Sequence, residues 1–163
     1  MRNSKVKGFT LVELIVVIAI IAILAAILVP NMLSYIKQSR YTQADANAKN
    51  VHTAATAALA QAYVDGVLGD DPAGDGGVAK LITTTNPFTA SINGTTVQVP
   101  GLDPASYSGA AAFSYDQSTL AVKAAAWSKS KAAESFNGTV PTQEQQYAAK
   151  DIIGYYPTPV KES

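Results

Sequence analysis

The chain has 163 residues, 12 basic and 12 acidic side chains, one histidine and no cysteine. That length holds one membrane-proximal helix and one modest globular domain, and the missing thiols exclude disulfides, cysteine-based zinc sites and thiol catalysis. The charge balance is uneven: Arg2, Lys5 and Lys7 precede Phe9, and without them nine basic residues face twelve acidic ones, which gives no reason to expect nucleic acid as a partner.

In chain order, Met1 to Gly8 is short, polar and basic. Phe9 to Val29 then runs for 21 residues with only Thr10 and Glu13 polar. At about 1.5 Å per residue a helix of that length spans roughly 31 Å, close to the ~30 Å hydrocarbon core of a bilayer. In lipid the backbone must satisfy its own hydrogen bonds, so the run has to be helical despite its many β-branched residues. A secretory signal has a shorter apolar core, and although Ala25-Ala26 imitates its cleavage site, apolar residues continue past it. A plain anchor explains the length but not three further features: Gly8 at the boundary, Phe9 directly after it, and the lone carboxylate of Glu13 four residues on. A carboxylate within a spanning helix is costly and seldom idle. The basic leader places the N-terminus inside and everything after Pro30 outside.

Pro30 removes a backbone donor and crowds the carbonyl of Ala26, so a bend or loosened turn is expected in a helix that continues beyond it. Residues 31–64 read as that continuation. Ala44, Ala48, Val51, Ala55, Ala58 and Ala62 recur at alternating spacings of four and three and so share one face. Gln43, Asp45, Asn47, Lys49 and Asn50 are assigned to the opposite, polar face. His52 is expected as an ordinary polar residue of this helix, because no Cys, Asp or Glu stands near it at metal-ligand spacing.

Asp65-Gly66 signals the helix stop. Gly69 to Gly77 is rich in glycine and aspartate. Asp70, Asp71 and Asp75 lack the twelve-residue calcium-loop pattern, so an exposed loop is preferred. Beyond it the period shifts towards strands. Ser91–Val99 carries Asn93-Gly94 between β-rich flanks, and Ala111–Tyr115 pairs with Thr119–Ala124 across Asp116-Gln117-Ser118. Four antiparallel strands packed on the alanine-striped helix make an α+β fold. Asn93-Gly94-Thr95 and Asn137-Gly138-Thr139 fit the N-glycosylation pattern but are read as turns. In the tail, Gln143 to Ile153 reads as a short helix and Tyr155 to Pro159 as extended. Trp127, Tyr147, Tyr155 and Tyr156 raise the idea of a carbohydrate-stacking surface, against a simpler role in the core or in a subunit interface. No nucleophile–base pair, phosphate loop or zinc spacing stands in the chain. Hence no catalytic residue, metal or cofactor is expected.

Gly8-Phe9-Thr10-Leu11-Val12-Glu13, followed by the apolar run and Pro30, resembles the prepilin signature of the type IV pilin superfamily, a match covering about residues 5–40. The resemblance implies four segments: a cleaved leader at 1–8, a membrane and filament-core helix at 9–30, an amphipathic helix at 31–64 and a globular domain at 65–163. It implies a prepilin peptidase that cuts between Gly8 and Phe9 and methylates the new Phe9 amine. It also implies a membrane assembly platform, lipid around the helix before assembly, and a homopolymer of pilin subunits afterwards. Phe9, Glu13 and Pro30 are the expected assembly residues. Glu13 either receives the Phe9 amine of an incoming subunit in the filament core or pairs with the Phe9 amine of its own chain. The leading expectation is a pilus subunit, held in the cytoplasmic membrane and then displayed on the cell surface. A pseudopilin of a secretion or DNA-uptake system is the alternative, ahead of a surface protein that never polymerises.

Overall fold

The structure is a computed structural model, and it describes residues 8–66, 77–82, 88–92, 94–102, 107, 109–116, 119 and 121–161. Most of the leader, the aspartates of the glycine-rich loop, Asn93 and the Gln117-Ser118 connection lie outside the described residues. The chain divides into two compact units, Met1–Ser39 and Arg40–Ser163.

The 54-residue helix α1, Leu11–Val64, contributes to both units. Within the second unit its buried residues are Tyr41, Ala44, Ala48, Val51, Ala55, Ala58, Leu59 and Ala62. The alanine stripe is therefore the packing face, as its spacing predicts, and small side chains let the helix approach the sheet closely. The helix ends before Asp65-Gly66, where the Gly66 N–H donates to Tyr63 O at 3.1 Å.

Among the described residues the sheet has six antiparallel strands, against the four expected. These are β1 Val78–Ile82, β2 Phe88–Ile92, β3 Thr95–Val99, β4 Ala110–Tyr115, β5 Val122–Ser128 and β6 Ile153–Tyr156, in the order β3-β2-β1-β4-β5-β6. The expected β2–β3 hairpin is present: Ile92 pairs with Thr95, and Gly94 takes the positive φ of 78° that a two-residue hairpin turn requires. The second hairpin is displaced. Its return strand begins at Val122 rather than Thr119 and continues to Ser128, so that Phe113 pairs with Ala125 and Ala111 with Trp127.

All six residues of β4 are buried, because both faces of the sheet are covered there. Ala111, Phe113, Tyr115, Ala125 and Trp127 join the main core with α1. On the opposite face Ala110, Ala112, Ala124 and Ala126 pack with Ala133 and Phe136, which belong to and follow a 3-10 helix at Lys131–Ser135. The buried Ser128 fixes that helix: its hydroxyl donates to Ser130 O at 2.6 Å and accepts from the Ala133 N–H at 2.9 Å.

A second short helix, α2 at Gln143–Ala148, is capped by Thr142 and Gln145 in a reciprocal capping box. It ends five residues before Ile153, because the chain there turns into β6 and pairs with β5. This shortens the helix expected over Gln143–Ile153. The extended conformation expected around Tyr155 is realised as that sixth strand. Gly154 pairs with Trp127 and lies directly against α1, where a β-carbon would collide with the backbone of Ala44 and Asp45.

Asp45 departs from the polar face assigned to it. It is half-buried, and its Oδ1 accepts from the Tyr155 N–H and from Gln146 Nε2, each at 2.9 Å. Gln146 Nε2 also donates to Ile153 O at 2.9 Å. His52 is likewise committed to packing. Its Nε2 donates to Val122 O at 3.0 Å, a carbonyl being able only to accept, and its ring meets Tyr156 edge-on at 4.7 Å.

Candidate functional site

Helix α1 begins in its most apolar part, and how its first turn closes decides where the functional groups stand. The first N–H groups of any helix lack intrahelical acceptors, and hydrocarbon offers no water to replace them. Here Thr10 and Glu13 supply the partners. Glu13 Oε2 accepts from the Thr10 N–H at 2.9 Å and from the Thr10 hydroxyl at 2.7 Å, while Thr10 Oγ1 accepts from the Glu13 N–H at 3.2 Å. This reciprocal cap places a carboxylate at the positive end of the helix dipole. Glu13 Oε1 takes no hydrogen bond among the described residues. With Phe9 still joined to Gly8, the partner of Glu13 is Thr10, a residue of the site that sequence reasoning missed. Its signal was present: a threonine three positions ahead of a glutamate, at the start of an apolar run.

Gly8 and Phe9 precede the helix. Phe9 is 82% exposed, and a β-carbon added at Gly8 would meet nothing within 4 Å. The described fold therefore makes no demand for glycine at position 8. From Phe9 to Ile36 every large apolar side chain is exposed. A stripe of that extent is not stable in water and marks a surface that lipid or another chain must cover. Among the described residues α1 is the one helix long and apolar enough to cross a membrane, with a window of mean hydropathy 3.3.

The helix runs through Pro30 without a break in its assignment. Around it, Asn31 Nδ2 donates to Ile27 O at 3.3 Å and the Ser34 hydroxyl to Asn31 O at 2.8 Å. Side-chain donors thus supplement the ladder where proline has removed a backbone donor. Thr10 and Glu13 are brought together, whereas Pro30 stands apart from them further along the same helix.

The four aromatics considered for sugar stacking are occupied in packing. Trp127 is in the main core, Tyr147 lies 4.6 Å from Tyr41, Tyr156 contacts His52, and Tyr155 lies 6.1 Å from Phe136. Asn137 Oδ1 accepts from the Thr139 N–H at 3.0 Å, closing the turn expected there. No three His, Asp or Glu side chains among the described residues are grouped to hold a metal.

Residues 3–29 match the family model for the prokaryotic N-terminal methylation motif. The type IV narrow pilus major component PilA5 of Thermus thermophilus is 37% identical over 97 residues, covering 57% of this chain and 78% of that protein. The chain belongs to the type IV pilin family. The pilin is also 46% identical over 52 residues to the type IV major pilin protein PilA of Myxococcus xanthus, which covers 32% of this chain and 24% of that relative. With the type IV wide pilus major component PilA4 of Thermus thermophilus it shares 62% identity over 42 residues, covering 26% and 30% respectively. It thus spans less than a third of the length of these last two relatives. No solved structure matches this pilin.

Proposed function

We propose that this pilin is a structural subunit of a type IV pilus that polymerises through the N-terminal part of α1. The observation that carries the reading is the exposed apolar run from Phe9 to Val29, in which Thr10 and the capped Glu13 are the polar side chains, in a chain 37% identical over 97 residues to a major pilus component. In this reading the basic leader stays inside, and a prepilin peptidase cuts between Gly8 and Phe9 and methylates the Phe9 amine. The helix waits in the cytoplasmic membrane for a membrane assembly platform, and other copies of the chain then replace lipid around it on the cell surface. The Phe9 amine of an incoming subunit meets Glu13 of a docked one, and Pro30 sets the local bending of the helix. The named relatives are all pilus components, which favours this over the pseudopilin alternative. The chain acts by assembly rather than by catalysis.

The test is mass spectrometry of filaments sheared from the cell surface. An abundant chain beginning at a methylated Phe9 is the expected result. Its absence from filaments, together with impaired secretion or DNA uptake on deletion, would overturn the reading in favour of a pseudopilin.

A further inference from the structure

Where α1 begins relative to the Gly8-Phe9 bond is decided by two of its own side chains. Gly8, Phe9 and Thr10 are not helical, and the helix starts at Leu11. Its first backbone bond runs from the Leu14 N–H to Thr10 O at 3.2 Å, so Thr10 is the boundary residue. The Gly8-Phe9 bond thus lies just outside the helix, with Phe9 exposed and open space around Gly8. Phenylalanine is a tolerable helix former, and glycine weakens a helix without satisfying any N–H. Neither residue meets the N–H groups that a helix ending at Leu11 leaves open.

The alternative to a cap is one more turn. In an apolar medium the Glu13 N–H would otherwise take the Phe9 carbonyl as its acceptor and the Val12 N–H the Gly8 carbonyl, winding the Gly8-Phe9 bond into the helix. The cap forestalls this. Thr10 Oγ1 meets the Glu13 N–H at 3.2 Å, and Glu13 Oε2 commits the Thr10 N–H at 2.9 Å. A helical peptide bond has its carbonyl hydrogen-bonded and its faces shielded by the adjoining turns, so a peptidase reaches it only after local unwinding. Both capping bonds are made while the Phe9 nitrogen is still an amide, before there is an amine for Glu13 to pair with.

We propose that the Thr10–Glu13 cap positions the chain for leader removal: it stops α1 at Leu11 and so presents the Gly8-Phe9 bond to the peptidase in unwound backbone. This rests on the reading of the chain as a processed pilus subunit. Thr10 and Glu13 are positioning residues here, acting through the backbone without touching the reacting atoms. The step itself is hydrolysis, in which water gives its hydroxyl to the Gly8 carbonyl carbon and a proton to the Phe9 nitrogen as the bond between them breaks.

The test is cleavage kinetics of the full-length precursor in detergent by the prepilin peptidase, with the new N-terminus identified by mass spectrometry. Thr10→Val removes the hydroxyl at nearly constant shape. It should raise KM about fivefold at unchanged kcat, because only the unwound fraction of the substrate binds. Thr10→Ser keeps the hydroxyl and should restore the wild-type KM. Glu13→Gln keeps an oxygen acceptor and should also be cut like the wild type, whereas Glu13→Leu loses it and should match Thr10→Val. The Phe9 Cα chemical shift should move to its helical range in the two slow variants alone, and both should still be processed to completion at longer times. Wild-type KM from Thr10→Val and Glu13→Leu would overturn the proposal. So would slow cleavage of Glu13→Gln, which marks recognition of the charge, or slow cleavage of Thr10→Val with Phe9 still non-helical, which marks direct contact with the enzyme. Failure of the peptidase to cut the unmutated chain at Phe9 would instead defeat the processing reading.

Discussion

Asp45 in α1 and Tyr155 in β6, 110 positions apart, are joined by a hydrogen bond in which the Tyr155 N–H donates to Asp45 Oδ1 at 2.9 Å. The same oxygen accepts from Gln146 Nε2, so one carboxylate holds α2 and the last strand to the long helix. Burial pushes the Asp45 carboxyl above its ordinary value, against the opposing pull of these two hydrogen bonds. Tyr155 and Tyr41, the phenols packed nearby, are themselves pushed up by burial and so stay neutral across the acidic range.

A raised carboxyl binds its proton more tightly in the folded chain than in the unfolded one. The contribution of Asp45 to stability is therefore fully present below its unfolded value and is lost as pH climbs from there through the raised folded value. Asp45→Asn keeps an oxygen acceptor and removes the buried charge. It should match or exceed the wild type in stability at pH 7 and flatten the decline. Asp45→Ala strands two donors and should cost about 2 kcal/mol or more at every pH. Denaturant titration of the detergent-solubilised chain from acid to neutral pH checks both. A wild-type stability that rises through this window because of Asp45 would contradict the assignment.

Gly154 should be intolerant of any side chain. Because its β-carbon would enter the backbone of Ala44 and Asp45, Gly154→Ala should destabilise the second unit by about 3 kcal/mol or displace β6 from α1. Hydrogen exchange at the Tyr155 N–H reports the second outcome, and native-like protection there would show that the contact is not as close as described.

Gly8→Val should block processing without disturbing the fold, since a side chain at position 8 meets nothing in the described chain. The precursor should accumulate in the membrane with its leader attached, at a level matching total wild-type protein. Recovery of a chain starting at Phe9 from this variant would show that the peptidase does not need glycine there.

The alanine stripe of α1 and the Asn93-Gly94 hairpin were legible because each depends on neighbours a few residues apart. Strand β5 was misplaced because Ala124-Ala125-Ala126 has little β-propensity of its own and is fixed by burial between α1 and the 3-10 helix. Strand β6 was seen only as extended chain, since its pairing of Tyr155 with Ala126 joins segments far apart in sequence. The same distance hid Asp45, whose partners lie on α2 and β6. At the functional end the roles of Gly8, Phe9 and Glu13 were suggested by a local pattern, while the cap formed by Thr10 was equally local and was missed.

The cap sharpens the central claim, because Glu13 can serve either its own helix or a neighbouring subunit. Thr10→Val removes the hydroxyl that binds the carboxylate and should cost the helix about 1 kcal/mol of capping, leaving the charge in place. Glu13→Leu removes the charge and leaves the apolar surface intact. Sheared-filament yield relative to membrane-fraction protein, measured for both variants as sole copies, separates the two roles. The account predicts near wild-type filaments from Thr10→Val and a severe loss from Glu13→Leu, with both chains inserted and cleaved at Phe9. Equal yields from the two variants, or wild-type yield from Glu13→Leu, would contradict it.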